Sequence, residues 1–536
     1  MKYLNKLILS ALVSMFILVG CDTDELHNLN INPQAVSEID VNYMMTGIEL
    51  SLASNGTAGD NRYTDWRTNI ILCSNYIQQL NIHSHGNFYT WYEEGNQAIF
   101  QFTYQDQLKN AYVVLKETDE GGWSEGEKLN TRAATIILKA WCLFRLTDFY
   151  GAIPYFEADK GLEGIFFPTY DNQSVIYPDL LAELSGAISA LSASNPDQGF
   201  AAADIIFNGD IAKWKKWGNS LLLRYGMRIS NVDQGMANTY VSQAIAGGVM
   251  ESNDDNVYIP MTLGPEEWSN QNGISRAFYP GDGGETNRLS ETLVNFLKGS
   301  DPNSTADDDP RLMIISGGIA DWTANEWLPI DTDPLNQIGV PPGYYNDEIA
   351  SILGLPPDFV PYHEFSRMNY LMLDDDDPYM IMTVAEVEFL LAEAAERGIG
   401  GATNAQAHYE AGVRDAMQQY AVYDPSFAVT DAQVDAYLAI YPYGGGGVTG
   451  SESNLEQIGW QLWVSHFMNW FDAWTDWRRT DQPPLVANTT NTSNVTNGEI
   501  PVRLGYPVGE VAANPNFNQA SHNNYTSKLW WDGGTE

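Results

Sequence analysis

Apolar positions recur at three- and four-residue spacing through most of the chain, which predicts helices that each bury one face. In residues 130–157, Ile136, Ile137, Ala140, Trp141 and Phe144 form such a face. Asn130 or Thr131 is placed to cap that helix, Gly151 permits a left-handed exit, and Pro154 prevents resumption. A helix over 70–80 precedes it. Three pairs follow from the spacing: 97–116 with 129–150, 177–191 with 210–229, and 379–397 with 403–420. In the second pair, Leu180, Leu181, Leu184, Ala187, Ile188 and Leu191 make one stripe, with Pro178 in the first turn. Trp214, Trp217, Leu221 and Tyr225 make the facing one. Thr403 and Gln406 have capping-box spacing. A last long helix over 454–479 carries Trp460, Trp463, Trp470, Trp474 and Trp477. The expected fold is mainly all-α, with tetratricopeptide-like helix pairs forming a scaffold.

The helical period fades over 250–377, where Gly, Pro, Asn and Asp become frequent, and a short helix over 290–298 is expected. The expected organisation is a helical scaffold over 41–249 and 378–480, an irregular lobe over 250–377, and a loop-rich tail over 481–536, all in one body from 41 to 536.

The first 40 residues have a different grammar. Lys2 and Lys6 precede an apolar run over 7–19 that ends in Leu18-Val19-Gly20-Cys21. This reads as a secretory signal over 1–20, too short for the ~20 residues of a membrane-spanning helix. Its last four residues match a bacterial lipobox, so Cys21 is the expected lipidation site, followed by a polar tether over 21–40. Asp22, Asp24 and Glu25 resemble the acidic signal that sends lipoproteins to the outer face of the outer membrane. Only Cys73 and Cys142 remain, so no disulfide framework exists; whether they pair stays open.

Charge narrows the partners. With 69 acidic and 27 basic residues the formal charge is -42, which repels nucleic acid and anionic lipid. The hydrophobic content of 44% excludes wholesale disorder.

No catalytic constellation emerges. Gly444 to Gly447 lack the lysine of a phosphate loop, and His83 and His85 lack a third convergent ligand. The run Asp374 to Asp377 lacks the spaced ligands of a calcium loop and reads as a polar cap before the next helix, so no cofactor or metal is expected. Aromatic residues in loops are more informative. A carbohydrate site pairs flat rings with Asn, Asp, Gln or Arg hydrogen bonders. Tyr89, Trp91 and Tyr92 lie in an early loop. Trp268, Tyr279, Trp322, Trp327, Tyr344 and Tyr345 lie in the irregular lobe, beside Asn272, Arg276 and Asp321.

Six segments together resemble the SusD/RagB family of surface nutrient-binding lipoproteins. Besides the lipobox, they are Phe144-Arg145-Leu146-Thr147-Asp148-Phe149-Tyr150-Gly151-Ala152-Ile153-Pro154-Tyr155, Asp309-Pro310-Arg311-Leu312, Ala385-Glu386-Val387-Glu388-Phe389-Leu390-Leu391-Ala392-Glu393-Ala394, Trp477-Arg478-Arg479-Thr480, and Ile500-Pro501-Val502-Arg503 with Tyr506-Pro507 and Glu510. The resemblance implies four tetratricopeptide-like units carrying an irregular lobe. It also implies a ligand face built from an early loop and that lobe, and a role as a lid over a SusC-like TonB-dependent transporter. The function expected is capture of an oligo- or polysaccharide without catalysis. Peptide cargo, as in the RagB branch, and a surface glycoside hydrolase are the alternatives.

Overall fold

The computed structural model describes residues 39–53, 62–81, 85–264, 270–278, 288–323, 326–344, 351, 364–487, 493–517 and 523–536, with the backbone alone for 320–323 and 326–330. Residues 41–536 form one compact unit. The expected lipidation site Cys21, together with His83, Trp268, Tyr279 and Tyr345, lies outside the described residues.

The principal helices are α1 (Val41–Ser51), the π-wound α2 (Asp65–Cys73), α3 (Glu93–Phe102), α4 (Lys109–Glu117), α5 (Leu129–Tyr150), α6 (Gln173–Ala190), α7 (Ile211–Arg228), α8 (Gln234–Gly247), α9 (Val384–Arg397), α10 (Ala405–Gln418), α11 (Asn454–Ser465), α12 (Trp470–Thr480) and α13 (Val508–Ala513). Neighbours in the chain pack as pairs: α4 on α5, α5 on α6, α6 on α7, α7 on α8, and α9 on α10. The expected all-α scaffold of helix pairs is therefore present. Among the described residues no helix is long and apolar enough to cross a membrane.

α5 sits at the centre because it is covered on every side. Ala133, Ile137, Leu138, Ala140, Trp141, Leu143, Phe144, Leu146, Phe149 and Tyr150 are all buried, and α1, α4, α6 and α7 pack around it. Its start differs from expectation. Lys128 precedes the first turn without a capping side chain, and a carboxylate from another segment, Asp197, accepts from the Thr131 N–H at 2.7 Å. Asn130 instead ties its amide to both backbone groups of Ser192. The exit is as expected: Gly151 adopts φ 88° and donates to Thr147 O at 2.8 Å.

Five further boundaries differ, each because tertiary packing outweighs local pattern. The helix expected over 70–80 begins at Asp65, and its expected end, Leu80, is in a strand paired with Leu289. α6 begins at Gln173, so Pro178 lies inside the helix and leaves the Ser174 carbonyl without a helical donor. α10 begins at Ala405 after Asn404 at φ 62°, and Thr403 and Gln406 form no capping box. Residues 379–382 are a strand paired with Val257–Ile259, so the run Asp374 to Asp377 precedes a strand, not a helix. The expected long helix over 454–479 is two helices broken at residues 466–469, with Met468 at φ 80°. α11 packs on α9 whereas α12 packs on α2, and one straight helix could not serve both.

Five of the six segments quoted for the resemblance hold the buried ionic frame. Arg311 pairs with Asp309 at 2.6 Å and reaches Gln461 on α11 at 2.7 Å. Arg224 of α7 pairs with Glu386 of α9 at 2.5 Å. Arg228 lies 3.3 Å from Asp148 and 3.1 Å from Asp476. Arg479 grips both oxygens of Glu393, at 2.5 and 2.6 Å. Arg478 donates to Asp148 O at 2.7 Å, and Arg503 donates to Tyr150 O. These charges join distant parts of the chain, and a buried charge that loses its partner costs ~3–5 kcal/mol. Cys73 and Cys142 are free and buried, each thiol pushed up by burial.

Short strands join the early loop to the central lobe. β1 (Leu80–Asn81) pairs antiparallel with β2 (Arg288–Leu289), and Asn81 Nδ2 donates to Pro341 O at 2.7 Å. The lobe has a three-stranded antiparallel sheet in the order β4 (Glu326–Asp331), β3 (Ser316–Thr323), β5 (Ser366–Met368). The expected short helix is present as Glu291–Leu297.

Candidate functional site

α2 positions the most coherent cluster of ligand-type side chains. Its N-terminal end carries Trp66 and Arg67, both half-buried, while Asp65, Thr68 and Asn69 face inward. Asp65 accepts from Tyr379 Oη at 2.7 Å and from Asn69 Nδ2 at 3.1 Å. Burial pushes its carboxyl up to about 7. The inward side is thus fixed, and the outward side is left with a ring and a guanidinium.

Arg67 gathers the rest. Its guanidinium lies 4.9 Å from the Trp66 ring and 5.5 Å from the Tyr63 ring. Its Nη1 donates to Tyr92 Oη at 2.6 Å and lies 2.7 Å from Glu94 Oε2. Arg62 covers Trp66 at 4.5 Å. His85 stacks on Tyr92 with centroids 4.4 Å apart and planes 7° from parallel. Burial holds the imidazole below its ordinary value, which favours the neutral ring that stacks there. Burial also pushes the Tyr92 phenol up to about 12, so it stays a hydrogen-bonding hydroxyl. The result is a cluster in which the half-buried Tyr63 and Trp66 rings and the exposed His85, stacked on the buried Tyr92, lie beside a guanidinium, a carboxylate and the Gln97 amide, which donates to Tyr63 Oη at 3.4 Å. Flat C–H faces flanked by hydroxyls are the chemistry such a cluster matches.

Of the aromatics expected in the early loop, Tyr92 belongs to this cluster. Trp91 is half-buried and stacks on Tyr525 with centroids 5.1 Å apart, its Nε1 3.2 Å from Glu93 Oε2. Its far edge is pressed by Gly505, where an added Cβ would come within 2.1 Å of the indole. Tyr89 is buried at φ 51°, with its ring edge-on to Tyr76 and its carbonyl accepting from Val495 N.

Asn272 and Arg276, two of the three polar candidates of the lobe, are engaged in structure. Asn272 caps the short helix Gly273–Ala277 by accepting from Ile274 N and Ser275 N, and donates to Asp377 O at 3.0 Å. Arg276 is buried and pairs with Asp375 at 3.7 Å. This helix packs on α2, so the lobe meets the helix that carries Trp66 and Arg67. Trp322 and Trp327 are direct partners near the end of the β3–β4 hairpin, with Asp321 opposite Leu328. Tyr344 packs on Val340 and Phe365, next to Gly343, whose N–H donates to Asn87 Oδ1 at 2.7 Å.

Sequence reasoning missed Tyr63, Trp66 and Arg67. The run Tyr63-Thr64-Asp65-Trp66-Arg67 lies ahead of the helix expected over 70–80, and only the packing brings its half-buried rings against Arg62 and Arg67.

A second titratable cluster, Glu386, His466 and Asp476, has three ligand-type atoms within 4.8 Å of one another. Arg224 and Arg228 already pair with its carboxylates, and this positive charge opposes a cation. It acts as the core of the ionic frame.

The family described as "Starch-binding associating with outer membrane" matches residues 33–507. The chain belongs to this SusD-like family. A search of curated proteins finds no match. A solved structure described as a chitin-binding protein is 29% identical, with a TM-score of 0.75 over 92% of this chain and 100% of its own. A Bacteroidetes SusD-like structure is 27% identical, with the same TM-score and coverage. A chitin-binding SusD homolog from Flavobacterium johnsoniae, 21% identical with a TM-score of 0.69, covers 92% of this chain and 98% of its own and shares the fold. SusD-like proteins are binding proteins associated with the outer membrane, and the chain is a member of that non-enzymatic class.

Proposed function

We propose that this SusD-like protein binds a glycan on the face made by Tyr63, Trp66, Tyr92 and His85, with Arg67, Glu94 and Gln97 as hydrogen-bonding partners. The observation that carries this reading is the Arg67 cluster, in which one guanidinium joins the half-buried Tyr63 and Trp66 rings to the buried Tyr92 and to a carboxylate. Trp91 supports the edge of that face. Trp268, Tyr279, Asp321, Trp322 and Trp327 of the lobe are the further residues proposed to contact the glycan, while Tyr89, Asn272 and Arg276 hold the backbone. Lipidation at Cys21 after removal of 1–20, with 21–40 as tether, anchors the body of 41–536 to the outer face of the outer membrane. From there it passes oligosaccharide to a SusC-like TonB-dependent transporter.

Chitin oligosaccharide is the first ligand to test, because a relative of 29% identity is described as chitin-binding. Calorimetry with N-acetylglucosamine oligomers, malto-oligosaccharides and peptides, on wild type and Trp66→Ala, tests the reading. It holds if a glycan binds wild type and Trp66→Ala weakens it. It falls if peptides bind and no glycan does.

A further inference from the structure

A groove of about 480 Å³ runs beside the Trp66 face, within the roughly 300–1,000 Å³ range of small-molecule sites. Its walls are α3 with the π-turn that follows it, the loop after α5, and α13. Phe166 is 74% exposed and Phe167 53% exposed, in a loop whose Leu162 is 98% exposed. Single exposed apolar residues are ordinary, but adjacent exposed rings over a cavity are not. The backbone that carries these rings is held in place. Asn514 Nδ2 donates to Pro168 O at 3.0 Å, and Asn516 Nδ2 donates to Phe167 O at 2.5 Å. The opposite wall is fixed by Tyr104 Oη, which donates to Pro154 O at 2.6 Å.

We propose that this groove is a second carbohydrate-contact site, which takes an uncharged stretch of the same glycan beyond the Trp66 face. The proposal rests on the glycan reading above. Three observations choose this occupant. Gln97 lines the groove and also donates to Tyr63 of the Trp66 face, so the two surfaces are continuous. The lining combines exposed rings on a tethered loop with the amides of Gln101 and Gln105, the pairing a sugar requires. Its charged members among the described residues are Asp159 and Glu510, with no basic side chain, which suits a neutral polyol and repels an anionic polymer.

The test is calorimetry on the full mature chain with N-acetylglucosamine and malto-oligosaccharide series from dimer to hexamer. It compares wild type, Phe166→Ala/Phe167→Ala, Gln105→Ala and Trp66→Ala, with thermal melts showing that each is folded. The exposed double variant should bind the dimer as wild type does and lose about tenfold in hexamer affinity, while Trp66→Ala weakens both. Gln105→Ala should show a smaller loss confined to the longer chains. Equal hexamer affinity in the double variant and wild type overturns the groove alone. So does a double variant that keeps all glycan binding but no longer co-purifies with the co-expressed transporter, which makes the face a protein interface. Failure of wild type to bind any glycan defeats the functional reading first, and the groove with it.

Discussion

Arg67 Nη1 donates to Tyr92 Oη at 2.6 Å, joining the first turn of α2 to the loop before α3. The bond matters because the same nitrogen lies 2.7 Å from Glu94 Oε2 and the same guanidinium lies over Trp66 and Tyr63. One planar cation therefore sets the positions of the rings that a ligand would meet.

Arg67→Lys should keep the charge but lose the planar fork, and with it the alignment of Tyr92 and Trp66. Glycan affinity is expected to fall about tenfold, ~1.4 kcal/mol, while the melting temperature changes little, because the Arg67–Glu94 ion pair is solvent-exposed in part. Calorimetry and a thermal melt on the same preparation check both halves; unchanged affinity would remove Arg67 from the site.

Trp141 separates scaffold from site. It is buried on α5, with the Arg145 guanidinium 3.8 Å from its ring. Trp141→Ala should lower stability by ~3–5 kcal/mol, measured by denaturant unfolding, without selective loss of glycan binding below the melting temperature. A variant of wild-type stability that no longer binds would show the division to be misplaced.

Glu393→Gln should be as damaging as a cavity, though it changes almost no volume. Burial raises the Glu393 carboxyl, but Arg479 and Arg397 outweigh it and hold it below the usual range. The stability this pair contributes is present above the unfolded carboxylate pKa and is lost as pH falls through the folded one. Removing the charge leaves buried Arg479 with the longer contact to Asp476, at 3.7 Å, in place of its two bonds to Glu393, at a cost of up to ~3–5 kcal/mol near neutral pH, a deficit that should shrink in acid.

Asp65 works in the opposite direction. Its folded pKa is about 7 against 3.8 when unfolded, so between those values the folded state holds the proton more tightly. Stability therefore falls as pH rises across that window. Asp65→Asn should remove this slope, so its advantage over wild type grows from about pH 4 to about pH 7 by a few kcal/mol. Urea unfolding at intervals across the window measures it, and parallel curves for the two proteins would contradict it.

What the sequence alone determined is the helical scaffold and the family it belongs to. Periodicity marks long amphipathic helices whatever they pack against, and α5 or α7 could be read within one or two residues. The motif segments were equally legible, because buried pairs such as Arg311–Asp309 and Arg479–Glu393 need those residue types. Tertiary structure decided the rest. Residues 379–382 are short enough for either helix or strand, and pairing with Val257–Ile259 chose strand. The tryptophan-rich stretch broke at Met468 because its halves bury against different helices. Asn272 and Arg276 had the right chemistry for a sugar, yet capping and the ion pair with Asp375 claimed them. Trp66, ahead of the helix expected over 70–80, is half-buried between the core and two guanidinium groups, because whether a ring is covered depends on what packs over it. A pattern of residue types records which faces must be buried; which polar groups and rings remain free is set only when distant segments meet.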